Sequence, residues 1–133
     1  MKTLALIAHD NKKVDMVAWA TYNRVVLGRF RLLATAHTAR LLEEKVGLDV
    51  EPLLSGAHGG DAQIAAHVAT KQVDAVFFFV DPLTSLPHDP DIRALLRVCN
   101  VHNVPLTTNV ATADLIIAGL AAGDDATPSP DER

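Results

Sequence analysis

The sequence predicts an α/β domain: a doubly wound, five-stranded, mostly parallel sheet with helices on both faces. Three observations carry that expectation. Short apolar runs alternate along the chain with stretches of helical spacing. The most apolar run, AVFFFV at 75–80, has no polar alternation, as in parallel strands buried on both faces. Residues able to do chemistry gather just after the apolar runs, where parallel sheets bind their ligands.

The elements follow in order. Residues 4–8 form a continuous apolar run, and Val14, Val17, Ala18 and Thr21 then recur at helical spacing. A second strand is expected at 31–34 and a helix at 37–45, then a strand at 50–54 and a helix at 61–70. After the strand at 75–80, Ile92, Leu95, Leu96 and Cys99 mark an amphipathic helix by their i, i+3, i+4, i+7 spacing. Residues 104–107 make the last strand, and Ala113, Ile116, Ile117 and Leu120 the last helix. Right-handed crossovers join such units into one sheet.

At 133 residues and 49% hydrophobic, the chain has the size of one domain with a core of its own. We expect that domain over 1–122 and a polar, mobile tail over 123–133, GDDATPSPDER. The net charge of −4 leaves no basic footprint for nucleic acid, and no run is long enough to span a membrane. A single cysteine, Cys99, forms no internal disulfide and falls on an apolar helical face; it reads as core packing in a cytoplasmic protein. Trp19 reads as a packing or subunit-contact residue.

The five loops after the strands hold the chemistry. They carry His9, Asp10 and Lys13; Thr35, His37 and Thr38; Ser55, Gly56 and Asp61; Asp81, His88, Asp89 and Asp91; and Thr107, Thr108 and Asn109. The opposite loops carry solubilising residues such as Lys45, Lys71 and Asn103. Several rim residues have a plain structural reading, because Asp and Thr cap helices: Asp10 the first, Thr35 or Thr38 the second, Asp89 or Asp91 the fourth. His9, His88 and Lys13 are poor caps and point to function.

Hydroxyls and amides at Thr35, Thr38, Ser55 and Gly56, with Lys13 as a point charge, suit a lone phosphate on a small molecule. Neither GxxxxGK[ST] nor GxGxxG occurs, so nucleoside triphosphates and dinucleotides are unsupported. In LSGAHGGDAQIA (54–65) glycines that would welcome an anion precede an acid that would repel it. The conflict disappears if the phosphate sits at Ser55 and Gly56 while Asp61 faces the carbon end of the substrate. A carboxylate beside a carbon acid, with imidazoles donating to the carbonyl oxygen, is a proton-abstraction site. HExxH and CxxC are both absent, so no metal is expected, and His58, His67 and His102 read as loop or surface residues.

IAHD (7–10) followed by Lys13, LSG..GGD (54–61), DPL....PHDPD (81–91) and TNVATAD (108–114) resemble methylglyoxal synthases in order and spacing, from about residue 3 to residue 120. The resemblance implies a flavodoxin-like α/β fold, a homohexamer, and conversion of dihydroxyacetone phosphate to methylglyoxal and inorganic phosphate without a cofactor. It implies Asp61 as the general base, with His9 and His88 on the substrate oxygens and Asp91 as a supporting acid. The phosphate would be held by Lys13, Thr35, Ala36, His37, Thr38, Ser55 and Gly56, with His9 and His88 also in contact with the substrate. Inorganic phosphate would be product and possible regulator.

One segment departs from that pattern. The family usually reads TGTTG after the second strand; this chain reads TAHTA (35–39), so Ala36 and Ala39 replace glycines and His37 a hydroxyl donor. A left-handed backbone at either alanine would cost about 1 kcal/mol. Ala57 and His58 replace a usual proline and an apolar residue. The rival reading is a non-catalytic ligand-binding module like the regulatory domain of carbamoyl-phosphate synthetase. A response-regulator receiver is set aside: it needs an acidic pair after the first strand and a lysine after the last, and no lysine follows Lys71.

Overall fold

The computed structural model describes residues 1–83 and 91–126, with the side chains of 124–126 left aside. Its sheet has the order β3-β2-β1-β4-β5, from strands β1 (Thr3–Ala8), β2 (Arg31–Ala34), β3 (Glu51–Pro52), β4 (Ala75–Phe79) and β5 (Leu106–Thr107). Every pairing is parallel, with Leu4 opposite Leu32 on one side of β1 and opposite Ala75 on the other. The helices are α1 (Lys13–Tyr22), α2 (Arg24–Leu27), α3 (Ala36–Val46), α4 (Gly60–Ala69), α5 (Ile92–His102) and α6 (Val110–Ala126).

The strands divide their side chains between two cores. Leu4, Leu6 and Ala8 of β1, with Phe77 and Phe79 of β4, face Met16, Trp19 and Ala20 of α1, Leu42 of α3, and Ala113 and Ile117 of α6. Ala5, Ile7, Leu33, Val76 and Phe78 face Ile64 and Val68 of α4 and Leu95 and Cys99 of α5. The period of two explains the division, because neighbouring strand residues point to opposite faces. Both faces are covered, which is why β1 and β4 are apolar throughout.

Several details differ from the sequence reading. The third strand, expected over 50–54, is only Glu51–Pro52, where Pro52 has no N–H to give the ladder. The last strand is Leu106–Thr107, because Val104 still answers to the preceding helix, its N–H donating to the Cys99 carbonyl. The buried face of α1 is Met16, Trp19 and Ala20; Val14 is 80% exposed, and Ala18 and Thr21 are also outside. Leu96 is partly exposed on α5. The four-residue α2 had no periodic signal. α6 continues through Ala126, into the segment expected as tail, and 127–133 lie outside the described residues.

Helix ends follow local chemistry. Gly47 ends α3 in the left-handed region at φ 79°, with its N–H donating to the Leu42 and Glu43 carbonyls. Asn103 ends α5 the same way at φ 56°, a conformation asparagine tolerates.

Candidate active site at the carboxyl rim

β2 and β3 lie on one side of β1, β4 and β5 on the other, so strand order reverses between β1 and β4. The crevice at such a reversal is where ligands enter parallel sheets. Hydrogen bonds bridge it here: the Asp81 N–H, after β4, donates to His9 Nδ1, after β1, at 2.9 Å. A ring nitrogen that accepts carries no proton, so the neutral imidazole keeps its hydrogen on Nε2. His9 is buried, and its ring meets Phe78 edge-on at 5.3 Å. Asn11 ties the same two loops, its Nδ2 donating to Asp81 Oδ2 at 2.9 Å.

The start of α3 forms the second part of the rim. Thr35 takes the N-cap position with extended backbone, yet its side chain makes no cap bond. The first turn holds no acid, and the helix dipole there favours an anion. Thr38 is 1% exposed and its Oγ1 has no hydrogen-bond partner, the one buried side-chain oxygen or nitrogen so found among the described residues. A buried hydroxyl without a partner is costly, and a bound group would satisfy it. Ala36 and Ala39 both lie in α3 with ordinary negative φ, so the alanines replacing glycine cost no left-handed strain.

Lys13 joins this helix start to the first loop. Its Nζ donates to Asp10 Oδ1 at 2.7 Å and lies 2.8 Å from His37 Nδ1. Asp10 is therefore the lysine's partner and not the cap of the first helix; the N-cap position of α1 is Lys12, with no side-chain cap bond. Desolvation is the largest influence on His37, followed by Lys13 and Arg40; together they hold its pKa below the usual histidine value.

The third part is the stretch 55–61. Ser55 precedes a single 3₁₀ turn, Gly56–His58, and its Oγ lies 2.7 Å from His58 Nδ1. The two glycines that follow do different work. Gly59 stands at φ 96°, which a side chain would strain. Gly60 allows contact: a Cβ there would lie 2.0 Å from the Leu54 carbonyl oxygen and 2.9 Å from Thr35 Cγ2. The start of α4 is thus pressed against the start of α3, and the Ala36 N–H reaches the Leu54 oxygen at 3.4 Å. Asp61, in the first turn of α4, is partly buried, and its carboxylate makes no hydrogen bond among the described residues.

Asp91 has a partner of its own. It is the N-cap of α5, its Oδ1 accepting from the Arg93 N–H at 2.9 Å and its Oδ2 pairing with the Arg93 guanidinium at 3.2 Å. The Arg93 backbone bond, reinforced by the guanidinium, holds its carboxyl below the usual aspartate range. This fits the capping reading that the sequence offered. His88 and Asp89 lie outside the described residues. Cys99 is buried in the core as expected, and desolvation pushes its thiol up to about 11. The sequence reading did not anticipate the contacts of Asn11 with Asp81, of His58 with Ser55, or of Lys13 with Asp10 and His37; His58 is an exposed loop residue, as expected. The motif spacing gave no sign of Asn11; the three-residue separation of Ser55 and His58 was available but not used.

These features define a class: parallel α/β domains whose carboxyl rim places an anion-receptive helix start beside an acid. The chain belongs to the MGS-like domain family, whose model matches residues 11–108. It is 56% identical over 118 residues to a methylglyoxal synthase of Cupriavidus taiwanensis, covering 89% of each chain. A methylglyoxal synthase of Thermus thermophilus is 54% identical over 123 residues, 92% of this chain and 98% of that one. The crystal structure of methylglyoxal synthase from Elizabethkingia anophelis superposes with a TM-score of 0.86 at 44% identity, covering 88% of this chain and 77% of that one.

Proposed function

We infer that the chain is a methylglyoxal synthase, a carbon–oxygen lyase that eliminates phosphate from dihydroxyacetone phosphate through an enediolate. The observation that carries the mechanism is the unpaired, partly buried Asp61 carboxylate, which directly follows the glycine that packs the start of α4 against Leu54 and Thr35. The phosphate rests on the first turn of α3 with Thr35, Ala36, His37 and Thr38, on Ser55 and Gly56, and against Lys13. Asp61 then removes a proton from the hydroxymethyl carbon, the neighbour of the carbonyl that does not carry the phosphate. The neutral His9 ring, with its hydrogen on Nε2, donates to the oxygen on which charge develops. His88 shares that role by the family pattern. Asp91, already engaged by Arg93, supports the site by anchoring the start of α5.

The carbon–oxygen bond to phosphate breaks when it lies out of the plane of the enediolate, its electron pair leaving with the phosphate. The enol that remains becomes methylglyoxal. A site that fixes that torsion decides the product. No cofactor takes part in this scheme. Inorganic phosphate, the product, competes for the same seat and can regulate by occupying it.

Incubation of the pure protein with millimolar dihydroxyacetone phosphate is expected to release methylglyoxal and phosphate in equal amounts. A clean null would favour the binding-module reading. Asp61→Asn is expected to lose about 10²–10⁴-fold in turnover while still binding phosphate analogues. Retained turnover would remove Asp61 as base.

The family pattern also supports a homohexamer in the cytoplasm. Large apolar side chains lie outside, including Leu83 at 91%, Tyr22 at 89% and Leu115 at 76% exposure, and subunit contacts would cover them. No helix among the described residues is long and apolar enough to cross a membrane.

A further inference from the structure

Resting on the phosphate seat proposed above, we propose that His37 carries a proton into that seat together with the anion: the ring is neutral when the seat is empty and an imidazolium when a dianion fills it.

The empty seat fixes the first half. An ammonium has only hydrogens to give, so with Lys13 Nζ 2.8 Å from His37 Nδ1, the ring nitrogen is the acceptor. The same Nζ gives a second hydrogen to Asp10 Oδ1 at 2.7 Å, which holds the lysine in place. A ring that accepts from lysine has its hydrogen on Nε2 and no net charge. Four charges reach it: Lys13 at the start of α1, Asp10 in the loop before it, and Arg40 and Glu44 on α3 itself. The two cations outweigh the two acids, and burial acts in the same direction as the cations.

An arriving dianion reverses that field. It lands at a helix start that holds no acid and carries an unpartnered hydroxyl at Thr38, the same helix start where Lys13 meets His37. The hydrogen that Lys13 gave to Nδ1 turns to the anion, and Nδ1 becomes free to take a proton from water. Two cations that would repel each other across 2.8 Å are then bridged by two negative charges. The hydroxyl that the family usually carries at this position has no such second state. His37 therefore makes anion affinity in this chain depend on pH where the usual residue would not.

Sulfate is the probe, because it remains a dianion across the range and any pH dependence belongs to the protein. Titration calorimetry in buffers of different ionisation heat counts the protons taken up. In the wild-type protein, sulfate binding near neutral pH is expected to take up part of one proton through His37. Affinity should weaken by up to about tenfold per pH unit between the pKa of the empty-seat ring and that of the occupied one. His37→Gln and His37→Thr should still bind sulfate but lose that share of uptake and give a flatter profile; what remains belongs to the other histidines. Equal uptake and equal slope in wild type and His37→Gln would overturn the proposal. If the variants fold poorly, ¹⁵N spectra of the wild-type rings decide: the His37 resonances should move from neutral to imidazolium on adding sulfate, and a ring that stays neutral overturns the proposal. Lyase activity without proton linkage removes this inference alone, and linkage without activity removes the lyase reading alone.

Discussion

At the scale of single residues, Thr38 separates stability from function most cleanly. Its hydroxyl is buried without a partner, so the folded protein carries an unfavourable desolvation that serves nothing unless a ligand arrives. Thr38→Val keeps the shape and removes the oxygen. It is expected to leave thermal stability unchanged or slightly raised, while weakening phosphate or sulfate by about tenfold or more, the value of a hydrogen bond to a charged group. Parallel melting and binding titrations check both arms, and a large loss of stability with unchanged binding would place the hydroxyl outside the seat. The sequence made Thr38 visible as a hydroxyl on the rim, but not its isolation. Nor did it reveal the Asp10–Lys13–His37 contact, which joins residues from different loops without leaving a periodic trace.

At the scale of elements, the apolar runs of β1 and β4 were readable because strands buried on both faces need nothing but apolar residues. α1 was readable as a helix but not in its orientation. Val14, Val17, Ala18 and Thr21 make one ladder and Met16, Trp19 and Ala20 another, and only packing against Phe77 and Phe79 selects the second. Trp19 also ties α1 to α6, its Nε1 donating to Asp114 Oδ1 at 3.1 Å. Trp19→Phe is expected to cost about 1–3 kcal/mol through lost volume and the lost bond, read by denaturant unfolding, with turnover little changed. The cap of α5 has a signed dependence on acid. Asp91 is held below its ordinary value in the fold, so its contribution is complete above the unfolded pKa and fades as pH falls through the folded one. Arg93→Ala keeps the backbone bond, the larger cause, and removes the guanidinium, so the Asp91 titration should rise only part of the way toward the ordinary range, seen by carboxyl ¹³C shifts, with a partial decrease in the acid-side loss of stability.

For the molecule as a whole, the doubly wound class, both covered faces and the gathering of chemistry at one rim were legible, because they follow from apolar runs and the loops after them. Strand order, the two cores and the outward apolar residues required the folded chain. Those outward residues bear on assembly. Light scattering coupled to gel filtration is expected to give a mass near six times the 14.3 kDa chain. Replacing Leu115, on the exposed side of α6, with Glu should shift the population toward smaller species, and an unchanged mass would place that side outside the subunit contacts; a monodisperse monomer in the unaltered protein would end the hexamer reading.

Gly60 has one more implication. Because main chain touches main chain there, the spacing between the starts of α3 and α4 is set by the frame, and in the proposed reaction that spacing would bound the gap between the proton-accepting group and the departing one. Swapping nearby side groups can tune how tightly a molecule is gripped, but hardly its permitted length. A homologue that had adopted a longer compound would be expected to have changed this glycine or the turn beneath it.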